Sequence, residues 1–478
     1  MTPRHPRDDL TQLDEVLTLA HREAARYLGG LDDSPVRTSE AETAAKSLRG
    51  PLPNDGDGAL AALSDLAAAG RAGAIRSAGP RFFHFVVGGT TPAALGADWL
   101  TSAIDQNTGM WAASPWGAEV EVIAIDWLKE LFELPSTWGG VLTTGATMAN
   151  FVGLVCGRRW WGLEQGVDID DLGVGALDPM PVFSSGYIHA ASIKALGMMG
   201  IGRKQVRLLS RDARGRLDVD ELEAELKALG GAPSMIVANA GEVNAGDFDP
   251  IPRMIELASR HNAWVHVDGA FGLFSRLGPE TKPLTDGIEG AHSVISDGHK
   301  WLNVPHDCGF AFVRDPSLLS GVFGTGAPYY VGGGELQPNY ALLGPESSRR
   351  ARALDVWATL RAYGRSGYRD MIERHLALAR RIGRSVEAAD DLELLASVTL
   401  NIVCFRYRPA GVAEERLDDL NRRLGEAVLE DGRVYFGTTS FEGRVAFRPA
   451  IVNYRTAEPD VDLLVEVVRK LGAELTAS

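Results

Sequence analysis

SMIVANAGEVNAGDFDPIPRMIELASRHNAWVHVD, residues 234–268, is the stretch on which the fold turns. Ser234 to Ala238 is a short apolar run. PRMIELASRH carries its apolar residues at helical spacing. Ala263 to Val267 is a second apolar run. Strand, covering helix and strand make one βαβ unit.

The same alternation extends in both directions. Val141 to Thr143, Pro181 to Phe183, Val206 to Leu209 and His292 to Ile295 read as further strands. Helices are expected over 146–156, from Tyr187 to Met199, and in DELEAELKAL, where Asp218 caps the first turn. Strands alternating with helices predict an α/β fold with a mostly parallel sheet covered on both faces. Ligands of such sheets bind beyond the C-terminal strand ends.

This pattern fills a large domain over 90–345. After it come two long helices, RRARALDVWATLRAYG and YRDMIERHLALARRIGRSVEAA, then strand-like Thr399 to Tyr407 and Arg444 to Ile451. They predict a small α+β domain over 346–478. Before it, Leu10, Leu13, Val16, Leu17 and Ala20 recur at helical spacing and Gly29-Gly30 closes the segment. Residues 1–89 therefore read as an N-terminal helical segment, packed on its own subunit or on a dimer partner.

The 478 residues exceed what one hydrophobic core usually holds. The net charge of −15 disfavours nucleic acid or an anionic membrane as partner. Cys156, Cys308 and Cys404 are odd in number and far apart, which supports neither a disulfide framework nor a CxxC zinc site. Met1 to Asp9 is polar with no apolar run after it, so no secretory leader is expected, and no segment is apolar enough to span a bilayer. The expected compartment is the cytoplasm.

Four segments carry chemistry. Ser296-Asp297-Gly298-His299-Lys300-Trp301 sets a lysine after an apolar strand, between a His and a Trp. Such a lysine can serve as a Schiff-base amine, or sit plainly on the surface at a strand end. His266-Val267-Asp268-Gly269-Ala270 ends a strand on a carboxylate, which suits the protonated ring nitrogen of a pyridine cofactor. The competing reading is a metal site from His266 and Asp268, with His292, His299 and His306 nearby; no HExxH or CxxC supports it, and no metal is expected. Leu142-Thr143-Thr144-Gly145-Ala146-Thr147-Met148-Ala149-Asn150 runs from a strand through a Gly turn into a helix of small residues, a place for a phosphate. Ser184-Ser185-Gly186-Tyr187-Ile188-His189 sets a His at a helix start, where its ring can stack on a planar cofactor.

In this order and spacing the chain resembles the group II PLP-dependent amino-acid decarboxylases, the family of aromatic-amino-acid and glutamate decarboxylases. The likeness runs from Pro80-Arg81-Phe82-Phe83 to about Arg455 and includes Trp111-Ala112-Ala113-Ser114-Pro115 and Asp126-Trp127-Leu128. It implies the PLP-dependent transferase fold of type I and a homodimer that shares its active sites. It also implies that pyridoxal 5'-phosphate is held on Lys300, with His299 beside it near the phosphate. Asp268 would pair with the pyridinium nitrogen, Ala270 would pack on the ring and His189 would stack on the other face. Ala146 and Thr147 would hold the phosphate. Asn239 stands where a Thr is common. Phe85, Asn107 and Trp111 fall at substrate-binding positions.

The resemblance further implies decarboxylation of an L-amino acid to the amine and CO₂. Ala327-Pro328-Tyr329-Tyr330-Val331-Gly332-Gly333-Gly334 is similar to the family's mobile catalytic loop, in which Tyr330 would return a proton to the α-carbon. A Phe there would signal an aldehyde synthase. An aminotransferase, or a PLP-binding relative without turnover, would use the same cofactor residues. Departures from the aromatic decarboxylases are Asp297-Gly298 in place of Asn-Pro, Asn107 and Gly109 at apolar positions, and Phe85 to Gly88 in a usually more polar stretch. Arg448 and Arg455 read as surface or dimer salt bridges, with a substrate side-chain carboxylate as the alternative.

Overall fold

Seven strands form the central sheet: β1 (Gly139–Thr143), β2 (Val182–Ser185), β3 (Val206–Leu209), β4 (Ser234–Asn239), β5 (Ala263–Asp268), β6 (Ser293–Asp297) and β7 (Gly309–Val313). They come from a computed structural model that describes residues 5–212, 214–325, 334 and 337–477. The spatial order is β1-β7-β6-β5-β4-β2-β3. From β6 to β3 every pairing is parallel. β7 runs antiparallel to both β1 and β6. The sheet is thus mostly parallel, as expected, with one inserted strand that the sequence reading did not separate from the Lys300 segment.

β4, β5 and β6 are buried along their whole length, which matches their unbroken apolar runs. Their register aligns the ends that face the ligand side. Asn239 stands opposite Asp268, and Asp268 opposite Ile295, so Asp297 projects two residues further. The helix Ala146–Leu163 packs across β5, β6 and β7. Its glycines permit that approach. A Cβ on Gly153 would stand 2.7 Å from the His266 ring, and one on Gly157 would stand 2.6 Å from the Met235 methyl.

A second, antiparallel sheet has the order β10-β11-β9-β8, from β8 (Leu392–Leu394), β9 (Phe405–Tyr407), β10 (Thr438–Phe441) and β11 (Arg444–Phe447). Helices Glu414–Asp431 and Glu458–Ala477 enclose its core of Phe405, Phe436, Phe447, Leu424 and Leu464. The expected strand 399–407 shrinks to β9. Asn401 instead exchanges bonds with Ile451, its backbone oxygen accepting from Ile451 N at 2.9 Å and its Nδ2 donating to Ile451 O at 3.1 Å.

The two long helices expected after residue 346 make up the stretch Ala353–Glu387 and meet at Gly364, whose φ of 59° leaves the helical region. The stretch begins four residues later than expected because Arg349 is held extended: its N–H donates to Asn107 Oδ1 and its carbonyl accepts from Thr108 N. Ala353, Val356, Tyr368 and Ile372 lie in the large core, whereas Leu378, Ala379, Ile382 and Val386 lie in the small one. The N-terminal helix occupies Leu13–Gly29, preceded by a 3₁₀ turn over Pro6–Gln12. Leu10, Leu13 and Leu17 are 67%, 52% and 58% exposed, so that stripe is not packed on its own subunit. Among the described residues no helix is long and apolar enough to cross a membrane.

Candidate active site

β6 delivers its chain to Asp297, and a tight turn, Gly298–Leu302, carries Lys300. The turn is close-packed: a Cβ on Gly298 would stand 2.6 Å from Cys308 Sγ. That contact gives the Asp297-Gly298 departure a packing reason. On the other side, a methyl group on Gly88 would overlap the Lys300 carbonyl oxygen. Phe85 and Val86, just before it, both have positive φ, a costly conformation for a β-branched residue.

Asn303 (φ 56°) clamps the end of the turn. Its Oδ1 accepts from Gly89 N at 2.9 Å and Tyr454 N at 3.1 Å, and its Nδ2 donates to Trp301 O at 2.9 Å and Val452 O at 3.0 Å. Trp301 Nε1 donates to His375 Nδ1 at 2.9 Å, and the other His375 nitrogen lies 3.0 Å from Asn453 O.

Lys300 Nζ lies 3.3 Å from Asp297 Oδ2. The other Asp297 oxygen accepts from Ala146 N at 2.7 Å, tying the lysine turn to the first turn of the helix after β1. Burial pushes the Asp297 carboxyl above its ordinary range, and Lys300 opposes that shift. His299 Nε2 stands 3.4 Å from Asp297 Oδ2, the oxygen that faces Lys300, and its ring stacks on His306 at 4.3 Å. Burial first, then His306 and Lys300, lower its pKa to about 3, so it is neutral at neutral pH.

Lys300, Asp268, His189, Ala270 and Asn239 line one cavity of about 220 Å³, together with Phe85, Glu242 and Arg448. Asp268 Oδ2 accepts from Asn150 Nδ2 at 2.9 Å and Ser192 Oγ at 3.0 Å, and Oδ1 accepts from Ala270 N at 3.2 Å. His189 is the N-cap of helix Ala190–Met198, with Nδ1 accepting from Ala191 N at 3.2 Å. Burial lowers its pKa as well. Asn239 Nδ2 donates to Ser185 Oγ at 3.1 Å and Asp249 Oδ2 at 2.9 Å.

Two expectations change. Arg448 is not at the surface: it lines the cavity, and its Nη1 is buried without a hydrogen-bond partner. Burial lowers its pKa, and Glu242 works against that. Arg455 is the salt bridge expected, to Asp32 at 3.1 Å. Ala146 has its N–H engaged by Asp297, and Thr147 follows it on the same first turn. Asn107 and Trp111 do not line the cavity within this one chain. Asn107 Oδ1 accepts from Gly109 N and Arg349 N, and Trp111 N donates to Asn339 Oδ1. Tyr330 lies outside the described residues, as do Tyr329 and most of the loop around them.

The sequence reading missed Asp297 as a partner of Lys300 and Asn150 and Ser192 as donors to Asp268, and it ranked Arg448 as a cation for a substrate carboxylate behind a surface or dimer salt bridge. Only Asp297 carried a signal, a carboxylate at the ligand-side end of an apolar strand. His266, the alternative metal ligand, has both ring nitrogens taken, by Asn150 Oδ1 at 2.7 Å and Ser293 Oγ at 2.8 Å.

The residues present suit PLP. An amine, a carboxylate held by three N–H or O–H donors and a His ring share one cavity, and a strand–turn–helix for a phosphate leads to Ala146. The chain matches the pyridoxal-dependent decarboxylase conserved domain over residues 46–408. It is 28% identical over 407 residues to an aromatic-L-amino-acid decarboxylase of Bacillus atrophaeus, covering 84% of this chain and 82% of that protein. It is 30% identical over 448 residues to an L-2,4-diaminobutyrate decarboxylase of Rhizobium meliloti (strain 1021), covering 91% and 87%. The crystal structure of Oryza sativa TDC with PLP and tryptamine superposes with a TM-score of 0.90 at 27% identity, covering 98% of each chain. Domain match, relatives and fold agree with the cavity's chemistry, and the chain belongs to the pyridoxal-dependent decarboxylases, the PLP-dependent carboxy-lyases of amino acids.

Proposed function

We propose that this cavity converts an L-amino acid to its amine and CO₂, with Lys300, Asp268, His189 and Arg448 as the working groups. The observation that carries the reading is their convergence on one cavity at the ligand-side ends of β4, β5 and β6. PLP, when bound, supplies an aldehyde that takes up an amine and a protonated ring that draws electrons from the amine's α-carbon.

Lys300 would hold the cofactor through its amine, the position a substrate amine would take over. Asp297, 3.3 Å away, keeps the lysine amine in place. Asp268 would accept the ring N–H and so keep the ring protonated. His189 and Ala270, which line the same cavity, would flank the ring. Thr147 at the helix start would hold the phosphate, with the neutral His299 ring beside it. Arg448, with an unpartnered Nη1, takes the substrate carboxylate and orients it for departure. A proton then replaces CO₂ at the α-carbon, and Tyr330 is the residue we assign to deliver it.

We further propose a cytoplasmic homodimer, with an N-terminal segment 1–89, a PLP-binding domain 90–345 and a small domain 346–478. The exposed Leu10, Leu13 and Leu17, and Phe85 at 60% exposure beside the cavity, support a partner surface. Asn107 and Trp111 would reach the partner's cavity. Light scattering that gave the mass of a single chain would reject this arrangement.

The test of the reaction is an absorption spectrum of purified protein before and after borohydride, followed by peptide mapping. A visible band that disappears on reduction, with the pyridoxyl mass on Lys300, supports the site. An amino-acid panel scored for CO₂, amine and aldehyde then reads the product. No band after added PLP would overturn the proposal. Tyr330→Phe is expected to turn product from amine toward aldehyde and ammonia; an unaltered amine yield rejects Tyr330 as the proton donor.

A further inference from the structure

Behind Asp268, away from the cavity, four side chains form an unbroken line into the sheet. Trp264 Nε1 lies 3.1 Å from Ser293 Oγ, Ser293 Oγ 2.8 Å from His266 Nδ1, His266 Nε2 2.7 Å from Asn150 Oδ1, and Asn150 Nδ2 2.9 Å from Asp268 Oδ2. Trp264 is 2% exposed, and Ser293, His266 and Asn150 are each 0%. Nothing in the reaction proposed above requires groups this deep.

The direction of each bond follows from the chemistry of the two ends. An indole N–H only donates, so Ser293 accepts from Trp264. An ionised carboxylate only accepts, so Asn150 must turn its amide nitrogen to Asp268 and its oxygen to His266. His266 must then carry its proton on Nε2. Its Nδ1 is left as an acceptor and takes the Ser293 hydroxyl proton. Burial lowers the His266 pKa to about 4, so one proton on the ring is its state at neutral pH. Ser192 adds a second donor to Asp268 from the other helix, at 3.0 Å.

We propose that His266 and Asn150 are positioning residues that hold Asp268 as an acceptor-only carboxylate, through a one-way hydrogen-bond chain running from Trp264 through Ser293, His266 and Asn150. The inference rests on the reading of Asp268 as the partner of the cofactor's ring nitrogen. The chain has one self-consistent alternative. If Asp268 were protonated, it would donate to a flipped Asn150. Asn150 would donate to His266 Nε2, and His266 Nδ1–H would donate to Ser293, whose hydroxyl would turn to Gly153 O, 3.3 Å away. The two cases differ in one observable, the tautomer of a single histidine.

The first measurement is the ¹⁵N–¹H pattern of ¹⁵N-histidine-labelled protein, with the His266 signal identified by its loss in His266→Gln. An Nε2–H tautomer is expected; an Nδ1–H tautomer overturns the proposal whatever the enzyme's reaction. The second is the holoenzyme's affinity for PLP, with the ring nitrogen's protonation read by ¹⁵N-labelled cofactor. His266→Gln can still donate and accept, so its affinity should stay within about threefold of the parent. Asn150→Leu breaks the chain next to Asp268 and should weaken PLP roughly tenfold, with ring-nitrogen protonation reduced. His266→Phe should do the same, and the double variant should lose no more than either single one, because both act through one line of bonds. Asn150→Leu with unchanged affinity and ring protonation would sink the positioning role even if His266→Phe did not fold. A parent protein that binds no PLP would instead remove the functional reading and leave the tautomer result standing.

Discussion

Asp355 sits near the start of the long helix with its carboxyl buried and one oxygen unpartnered. Burial, with Asp98 adding to it, pushes its pKa from the ordinary 3.8 up to about 8. The folded chain therefore keeps this proton between pH 4 and 8, and the unfolded chain loses it. Stability falls as pH rises through that window and levels off above it. Asp355→Asn should melt higher than the parent at pH 8 and alike at pH 4; parallel melting curves at both pH values would contradict this. Gly88 makes a steric prediction. Gly88→Ala must displace the Lys300 carbonyl, at an overpacking cost of about 1–3 kcal/mol. Both the melting temperature and PLP affinity should drop, whereas Gly96→Ala, with nothing within 4 Å, should change neither. Lys300, Asp268 and His189 were legible in the sequence because each ends or follows an apolar run. Asn150 and Ser192 were not, since their roles come from distant chain: Asn150 is 118 residues from Asp268.

The segment before the long helix is locked by one buried pair. Arg349 and Glu121 have side chains 1% and 0% exposed, joined by two bonds of 2.9 and 2.6 Å. Arg349 also donates to Leu142 O, and Glu121 accepts from Leu142 N, so helix Pro115–Leu131, β1 and residues 346–352 meet there. Removing one partner strands a buried charge. Arg349→Met should cost about 3–5 kcal/mol in urea unfolding, and adding Glu121→Leu should restore part of it. A double variant as weak as the single one would count against the buried-charge account. Elements of the large sheet could be read from sequence where an apolar run was followed by a helix. β7 follows the Lys300 turn with no helix to set it apart, and β8 and β10 have only three and four residues, too few for periodicity to register, whereas β11 falls within the expected strand 444–451.

Across the whole molecule, buried and half-buried histidines shape the response to acid. Burial lowers His84, His266 and His292 to about 4, and His299 and His375 to about 3. The folded chain keeps them neutral while the unfolded chain takes up protons below pH 6.5. Stability should therefore fall as pH drops from 6.5 toward 4. Asp355 acts in the opposite sense there, as do Asp249, which burial pushes up to about 6, and the raised carboxyls of Asp297, Glu242 and Asp460; His189, also lowered by burial, adds to the histidine side. Melting at pH 5 should be lower than at pH 7, with proton uptake on unfolding seen by calorimetry in buffers of different ionisation enthalpy; proton release would refute it.

The Asn303 clamp gives the molecule a timetable. Val452 O, which Asn303 grips, is translated 149 residues after it. At about 5–20 residues per second that is a wait of roughly 7–30 s. During synthesis Lys300 is already out of the ribosome while the far side of its clamp does not yet exist. A nascent chain halted short of Val452 thus carries the lysine without the grip that sets its turn.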